Sequence, residues 1–186
     1  RSSLNSASTV SAETVGGSYI NISLTSKNHI NPFDLPVPRE DESAADVLRS
    51  NIVNLIGLFR IMLGGLTPQE DAILDQAITE TYASRDITQE SDFTQVIPPT
   101  LSDLELVLAS TAGGEDLAMR LKKYTTGTWS GFVNQPTNIE AQNRVVVFSY
   151  INVGSLPEGH PLRLLTGFLE ETSWYWRVNT LTKITV

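Results

Sequence analysis

The spacing of apolar residues changes along this chain, and each change predicts a different kind of structure. In residues 17–24, Ile20, Ile22 and Leu24 alternate with Tyr19, Asn21 and Ser23, the period of a half-buried strand. From Asn31 to Pro38, three prolines in seven residues forbid a regular helix and favour an extended connector. The spacing then lengthens to three and four: Ile52, Leu55, Ile56, Phe59, Met62 and Leu63 form a helical stripe behind Ser43 and Asp46, which can cap its start. Further apolar residues surround the stripe, so this helix is expected to be central. Gly64-Gly65 ends it. Thr67 as N-cap, Pro68 at the first helical position and Glu70 reaching back start a second helix. Its apolar face is Ile73, Leu74, Ala77, Ile78 and Tyr82, which makes residues 43–83 a helical hairpin.

Residues 84–99 read as a loop ending on Ile97-Pro98-Pro99. Thr100 and Asp103 cap a third helix bearing Leu101, Leu104, Val107 and Leu108, and Gly113-Gly114 separates it from a fourth at 115–124. The next stretch, KYTTGTWSGFVNQPTN at 123–138, is too polar for a core segment and too aromatic for an indifferent linker. Composition alone leaves a binding loop and an irregular connector equally open there. Residues 144–151, RVVVFSYI, are apolar almost throughout, as in a strand covered on both faces. A last helix is predicted from Pro161 to Val178 with Leu162, Leu165, Leu169 and Trp176 buried, followed by a strand at 183–186. Residues 1–15 are rich in Ser, Thr and Ala without a sustained period, a loose arm. A buried strand needs sheet neighbours, and only three candidates are present, so we expect part of a sheet. A start at Arg1 and an end on an uncapped strand lead us to expect a segment of a larger protein.

The 186 residues suffice for one domain with a core, or for a domain with an arm. A hydrophobic fraction of 40% and a charged fraction of 18% fit a globular protein. The net charge of −8 argues against a general binder of nucleic acid or anionic membrane, although a local basic spot is compatible with it. Without cysteine there is no disulfide framework, zinc-thiolate site or thiol nucleophile, which fits a cytosolic protein. The sequon Asn21-Ile22-Ser23 is then read as accidental. No apolar run approaches the roughly 20 residues of a membrane span, the best candidate being broken by Asn51, Asn54 and Arg60.

Chemistry-bearing patterns are sparse. No GxxxxGK[ST] loop occurs, and the glycine pairs lack the Lys-Ser/Thr that would touch phosphate and magnesium, so they read as helix stops. No apolar run ends in Asp-Glu. This chain by itself is therefore not expected to hydrolyse ATP, and we assign it no catalytic, cofactor-binding or metal residue. His29 and His160 lack metal-site companions and read as surface or capping residues. Glu40-Asp41-Glu42 precede a helix, where its dipole favours them. Glu170 and Glu171 point in different directions on their helix, and no Ser/His/Asp signature is present. Arg120, Lys122 and Lys123 form the one dense basic cluster; a helix C-terminus and its last carbonyls explain it most simply, a phosphate or partner contact more sharply. Trp174-Tyr175-Trp176 reads as packing material rather than a base-stacking platform, with one ring available for a subunit surface.

Six blocks in register carry a family resemblance: GGSYINIS, INPFDLP, LTPQEDAILDQAITETY, IPPTLSDL, KYTTGTWSGFVNQPTN and RVVVFSY. Their order is similar to that of the conjugation and type IV secretion ATPases of the VirB/TraC/TrbE kind, over residues 16–186. The resemblance implies a mostly helical domain inserted into a RecA-like motor core, between the phosphate-binding loop and the Asp-Glu strand. The fold class expected is mainly α: a helical bundle with flanking strands that belong to the motor's α/β core. It divides the chain into an arm at 1–15, a strand and connector at 16–42, the helical domain at 43–124, and a return loop, strand, helix and terminal strand at 125–186. Both nucleotide motifs lie outside this sequence, so ATP and Mg are implied for the intact parent alone. The parent would be a cytoplasmic motor at the inner face of the bacterial membrane, touching the membrane only indirectly. Its partners would be other subunits of the same ATPase, as a hexamer, and secretion-channel proteins, with DNA unsupported by the net charge.

The same resemblance turns KYTTGTWSGFVNQPTN into the return path to the motor sheet. Gly127 and Gly131 would permit turns, and Trp129 and Phe132 would pin the loop to its own core or to a neighbouring subunit. Asn134, Thr137 and Asn138 match the return, and with Arg120, Lys122 and Lys123 they complete the candidate interface or coupling residues. Such a domain would pass ATP-driven motion to neighbouring subunits or to substrate. Two other readings stand beside this one. A freestanding helical adaptor would bind a protein partner between helices, and a small hydrolase using surface carboxylates is disfavoured by the absence of any paired constellation.

Overall fold

The computed structural model describes residues 18–22, 29–127, 130–138 and 146–150, with backbone alone for both strands and Phe132. The expected arm at 1–15, last helix at 161–178 and terminal strand at 183–186 lie outside the described residues, as do Trp129, His160, Glu170, Glu171 and Trp174–Trp176. In chain order the elements are β1 (Ser18–Ile22), α1 (Ala44–Met62), α2 (Pro68–Ala83), α3 (Leu101–Ser110), α4 (Glu115–Thr125), the single turn α5 (Ser130–Val133) and β2 (Val146–Tyr150). β1 and β2 pair in parallel, from Ser18 opposite Val146 to Ile22 opposite Tyr150. Parallel neighbours need a crossover of a dozen residues or more. Here the helical body lies between them in the chain.

Local signals set the helix ends. At α1 the Ser43 hydroxyl accepts from the Asp46 amide at 3.1 Å and donates to its carboxylate at 2.6 Å. At the far end the Gly65 amide reaches the Arg60 carbonyl and the Gly64 amide the Ile61 carbonyl. This left-handed C-cap needs φ +80° at Gly64, a conformation that costs an L side chain strain. α2 opens on a full capping box, the Glu70 amide donating to Thr67 Oγ1 at 3.2 Å and the Thr67 amide to Glu70 Oε2 at 2.7 Å. At α3 the Asp103 carboxylate accepts from both the Thr100 amide, 2.7 Å, and the Thr100 hydroxyl, 3.0 Å.

Each helix packs on its successor, α1 on α2, α2 on α3, α3 on α4. The buried face of α1 is Val47, Leu48, Asn51, Leu55, Leu58, Phe59 and Met62. Ile52 and Ile56, expected in the stripe, are only partly buried and pack against the core from its edge. The α2 face agrees with expectation at Leu74, Ala77, Ile78 and Tyr82, with Ile73 at the margin.

The segment after His29 is where burial adds most to the sequence reading. It is non-helical, as its prolines require, and it is buried as well: Ile30, Asn31, Pro32, Phe33, Asp34 and Leu35 are all in the interior. Phe33, 0% exposed, stacks edge-on to Tyr82, centroids 5.5 Å apart, and tilted against Phe59 at 5.9 Å. The segment thus plugs the space beside Phe59 of α1 and Tyr82 of α2. Its polar groups are matched: Tyr82 Oη accepts from Asn51 Nδ2 at 2.6 Å and donates to the Phe33 carbonyl at 2.9 Å.

Candidate functional site

The two chain paths that join the helical body to the strands meet side by side and form a neck. The His29 amide donates to Asn138 Oδ1 at 2.7 Å, and the Asn138 amide returns a bond to the His29 carbonyl at 3.4 Å. Next along, the Asn31 amide donates to Thr137 Oγ1 at 2.8 Å. The Asn31 side chain, 1% exposed, accepts from the Phe33 amide at 3.1 Å and donates to the Pro99 carbonyl at 2.8 Å. One residue thus ties the return path, the plug and the loop before α3.

Asn134 ties the return path to two helix ends. Its Oδ1 accepts from the Ser102 amide at 2.9 Å, while its Nδ2 donates to Ser102 Oγ at 2.7 Å and to the Thr125 carbonyl at 3.0 Å. The Ser102 amide lies in the first turn of α3 and the Thr125 carbonyl in the last turn of α4, where a helix leaves its own groups unpaired. Gly127 makes the turn out of α4. A Cβ there would sit 2.5 Å from the Lys123 carbonyl oxygen, too close for any side chain. Gly131 falls inside α5 with open space around it, so the turn expected at that glycine is a helical turn instead. Of Phe132 only the backbone is described, and its expected pinning role, like that of Trp129, lies outside the described residues.

The basic cluster divides. Arg120 does not serve the carbonyls of its own helix, as the simplest reading expects; it crosses to the α1–α2 turn. Its Nη1 donates to the carbonyls of Leu63 and Gly65 at 3.0 and 3.1 Å, Nη2 pairs with Glu70, and Nε lies 3.0 Å from the Asp116 carboxylate. Tyr124 completes the clamp by donating to the Met62 carbonyl at 2.8 Å, and burial pushes its phenol above the usual 10.0, so it stays a donor. Thr125 donates to Glu105 nearby. Hydrogen bonds from the Thr67 backbone and side chain, then the Arg120 charge, hold the Glu70 carboxyl below its ordinary value. Lys122 and Lys123 instead face solvent, with Lys123 Nζ 5.3 Å from the Tyr124 ring centroid.

A groove of about 650 Å³ opens between α1, α2 and the loop after α2, lined by Leu48, Ile52, Val53, Tyr82 and Ile87, with Arg49, Asp75 and Glu90 as its charges. Val53 there is 63% exposed. Among the described residues no three His, Asp or Glu side chains come together to hold a metal ion, and no helix is long and apolar enough to cross a membrane.

The family resemblance alone singles out Asn134, Thr137 and Asn138; the structure places Thr137 and Asn138 in the neck and Asn134 between the ends of α3 and α4. Sequence reasoning misses Asn31 as their partner, along with Asn51 and Tyr82. Asn51 carries a signal of its own, a carboxamide at helical spacing between Leu48 and Leu55 that must find a partner once buried.

No protein-family model matches the chain. A search of curated proteins finds no similar sequence. Among solved structures the chain is similar in fold to VirB4 of Thermoanaerobacter pseudethanolicus, with a TM-score of 0.75 and 24% sequence identity over 91% of this chain. The match covers 46% of that protein, so the chain spans about half the length of its structural relative.

Proposed function

We propose that this chain is the non-catalytic helical domain of a type IV secretion ATPase, and that it couples ATP-driven motion of a RecA-like core to neighbouring subunits or to substrate. The observation that carries the reading is the excursion itself: parallel strands β1 and β2, with a helical bundle between them in sequence whose ends are tied at the neck. The shared fold with VirB4 and the six sequence blocks support it from two other directions. In this reading β1 and β2 belong to the motor sheet, and ATP and Mg bind the parent through motifs outside this sequence. The intact protein is then a hexameric ATPase at the inner face of the bacterial membrane, in contact with secretion-channel proteins. Lys122 and Lys123, exposed beside the clamp, are the candidate contacts to a neighbouring subunit or to DNA phosphate.

The reading frame on either side of this sequence provides the test. We expect a GxxxxGK[ST] loop upstream and an apolar run ending in Asp-Glu downstream, with ATP turnover by the full-length protein that is lost when the loop lysine is changed to Ala. A stop codon directly after Val186, or a full-length protein that binds no ATP, would sink the proposal. A second reading, the protein-binding adaptor, has the α1–α2 groove in its favour. It predicts a stable partner complex that forms without nucleotide and is weakened by Val53→Asp.

A further inference from the structure

A domain that transmits motion needs to know where it bends, and the neck answers for its own residues. Hinges are residues that absorb changes in φ and ψ. Neither His29–Pro38 nor Val133–Asn138 contains a glycine, and Pro32, Pro36, Pro38 and Pro136 fix φ along both paths. The two paths are bonded to one another at His29–Asn138 and Asn31–Thr137. Past that tie the first path enters the core at Phe33, whose carbonyl is held by Tyr82 of α2 and whose ring packs on Phe59 of α1. The Asn31 carboxamide binds the loop before α3, and Asn134 on the second path binds the start of α3 and the end of α4.

We propose that the neck is a rigid coupling, with Asn31 as its positioning residue, that moves as one body with the bundle and delivers displacement at His29 or Asn138 to α1, α2, α3 and α4. The proposal rests on the functional reading above and adds where the transmission runs. Its structural half is tested without nucleotide, by amide hydrogen exchange on the full-length protein. The Asn31 and Phe33 amides should exchange as slowly as those of Leu55 and Leu74 in α1 and α2. Exchange faster by about 100-fold would mean that the neck opens by itself, and would overturn the coupling whether or not the protein hydrolyses ATP.

Its functional half uses the double change Asn31→Ala with Thr137→Val in the same protein. ATP turnover should hold, while substrate transfer falls by about fivefold or more, the low end of typical coupling strengths. Thr137→Ser, which keeps the hydroxyl, should retain transfer. An equal fall in both activities, or none in transfer, would reduce the neck to packing and overturn the proposal. A wild-type protein without ATP turnover would instead remove the motor reading and leave the neck to the exchange experiment.

Discussion

Tyr82 concentrates the problem that a plugged bundle poses to its residues. The plug brings backbone carbonyls into an apolar interior, and each must find a donor, because a buried group left unpaired costs about 1–3 kcal/mol. Tyr82 supplies that donor to Phe33 while accepting from Asn51. Tyr82→Phe should therefore destabilise the chain by about 1–3 kcal/mol in urea denaturation. Asn51→Leu should cost less, since the hydroxyl keeps its bond to Phe33. A Tyr82→Phe loss within about 0.5 kcal/mol, the range of ordinary surface changes, would contradict this account. Phe33→Ala should be more damaging, about 3–5 kcal/mol, because it empties the space between Phe59 and Tyr82. Glu70 gives the pH dependence its sign. Its carboxyl is held below the ordinary value of 4.5, so the stability it lends is complete above the unfolded pKa and is lost as pH falls through the folded one. Denaturation midpoints measured across the acid range should show Glu70→Gln with the shallower decline.

At the scale of elements, helix ends separate what the sequence discloses from what it hides. Ser43, Thr67 and Asp103 act on groups within four residues of themselves, so their caps can be read directly from spacing. Asn134 caps α3 from 32 residues away, and Asn138 meets His29 across 109. No local pattern encodes those distances, and only the family resemblance singled out Asn134, Thr137 and Asn138. The prolines of 31–38 correctly excluded a helix, but they equally fit an exposed connector and a buried plug, because φ restriction says nothing about burial. Arg120 was legible as a charge near a helix C-terminus, not as a clamp on a different turn. Asn134→Ala should loosen both helices it serves, raising hydrogen exchange at the N-terminal turn of α3 and the C-terminal turn of α4 together. A change confined to one helix would show that the shared cap is not shared. Gly127→Ala, which forces a methyl against the Lys123 carbonyl, should loosen the end of α4 without touching α3.

For the whole molecule the plug and the clamp bind elements far apart in sequence, so the described helices are expected to unfold together. Far-ultraviolet circular dichroism and the near-ultraviolet signal of buried Tyr82 and Tyr124 should therefore trace coincident thermal transitions. Lys122 and Lys123 stand outside that cooperative unit. Changing both to Ala should leave the midpoint within about 0.5 kcal/mol of wild type, and on the proposed reading it should weaken contact to a neighbouring subunit or to DNA, with a shallower salt dependence. An unchanged affinity and salt slope would remove both lysines from the interface.

The meeting of His29 with Asn138 also bears on how such a body could arise. The bundle is entered and left at one place: the Asn138 amide reaches the His29 carbonyl at 3.4 Å, and the His29 amide reaches the Asn138 side chain at 2.7 Å. Because entry and exit coincide, the whole bundle could be added to, or removed from, an existing crossover between parallel strands, a connection of a dozen residues or more in any case, by opening or closing a short link between His29 and Asn138. The neck would then be the joint of a graft, made on a connection that parallel strands already require.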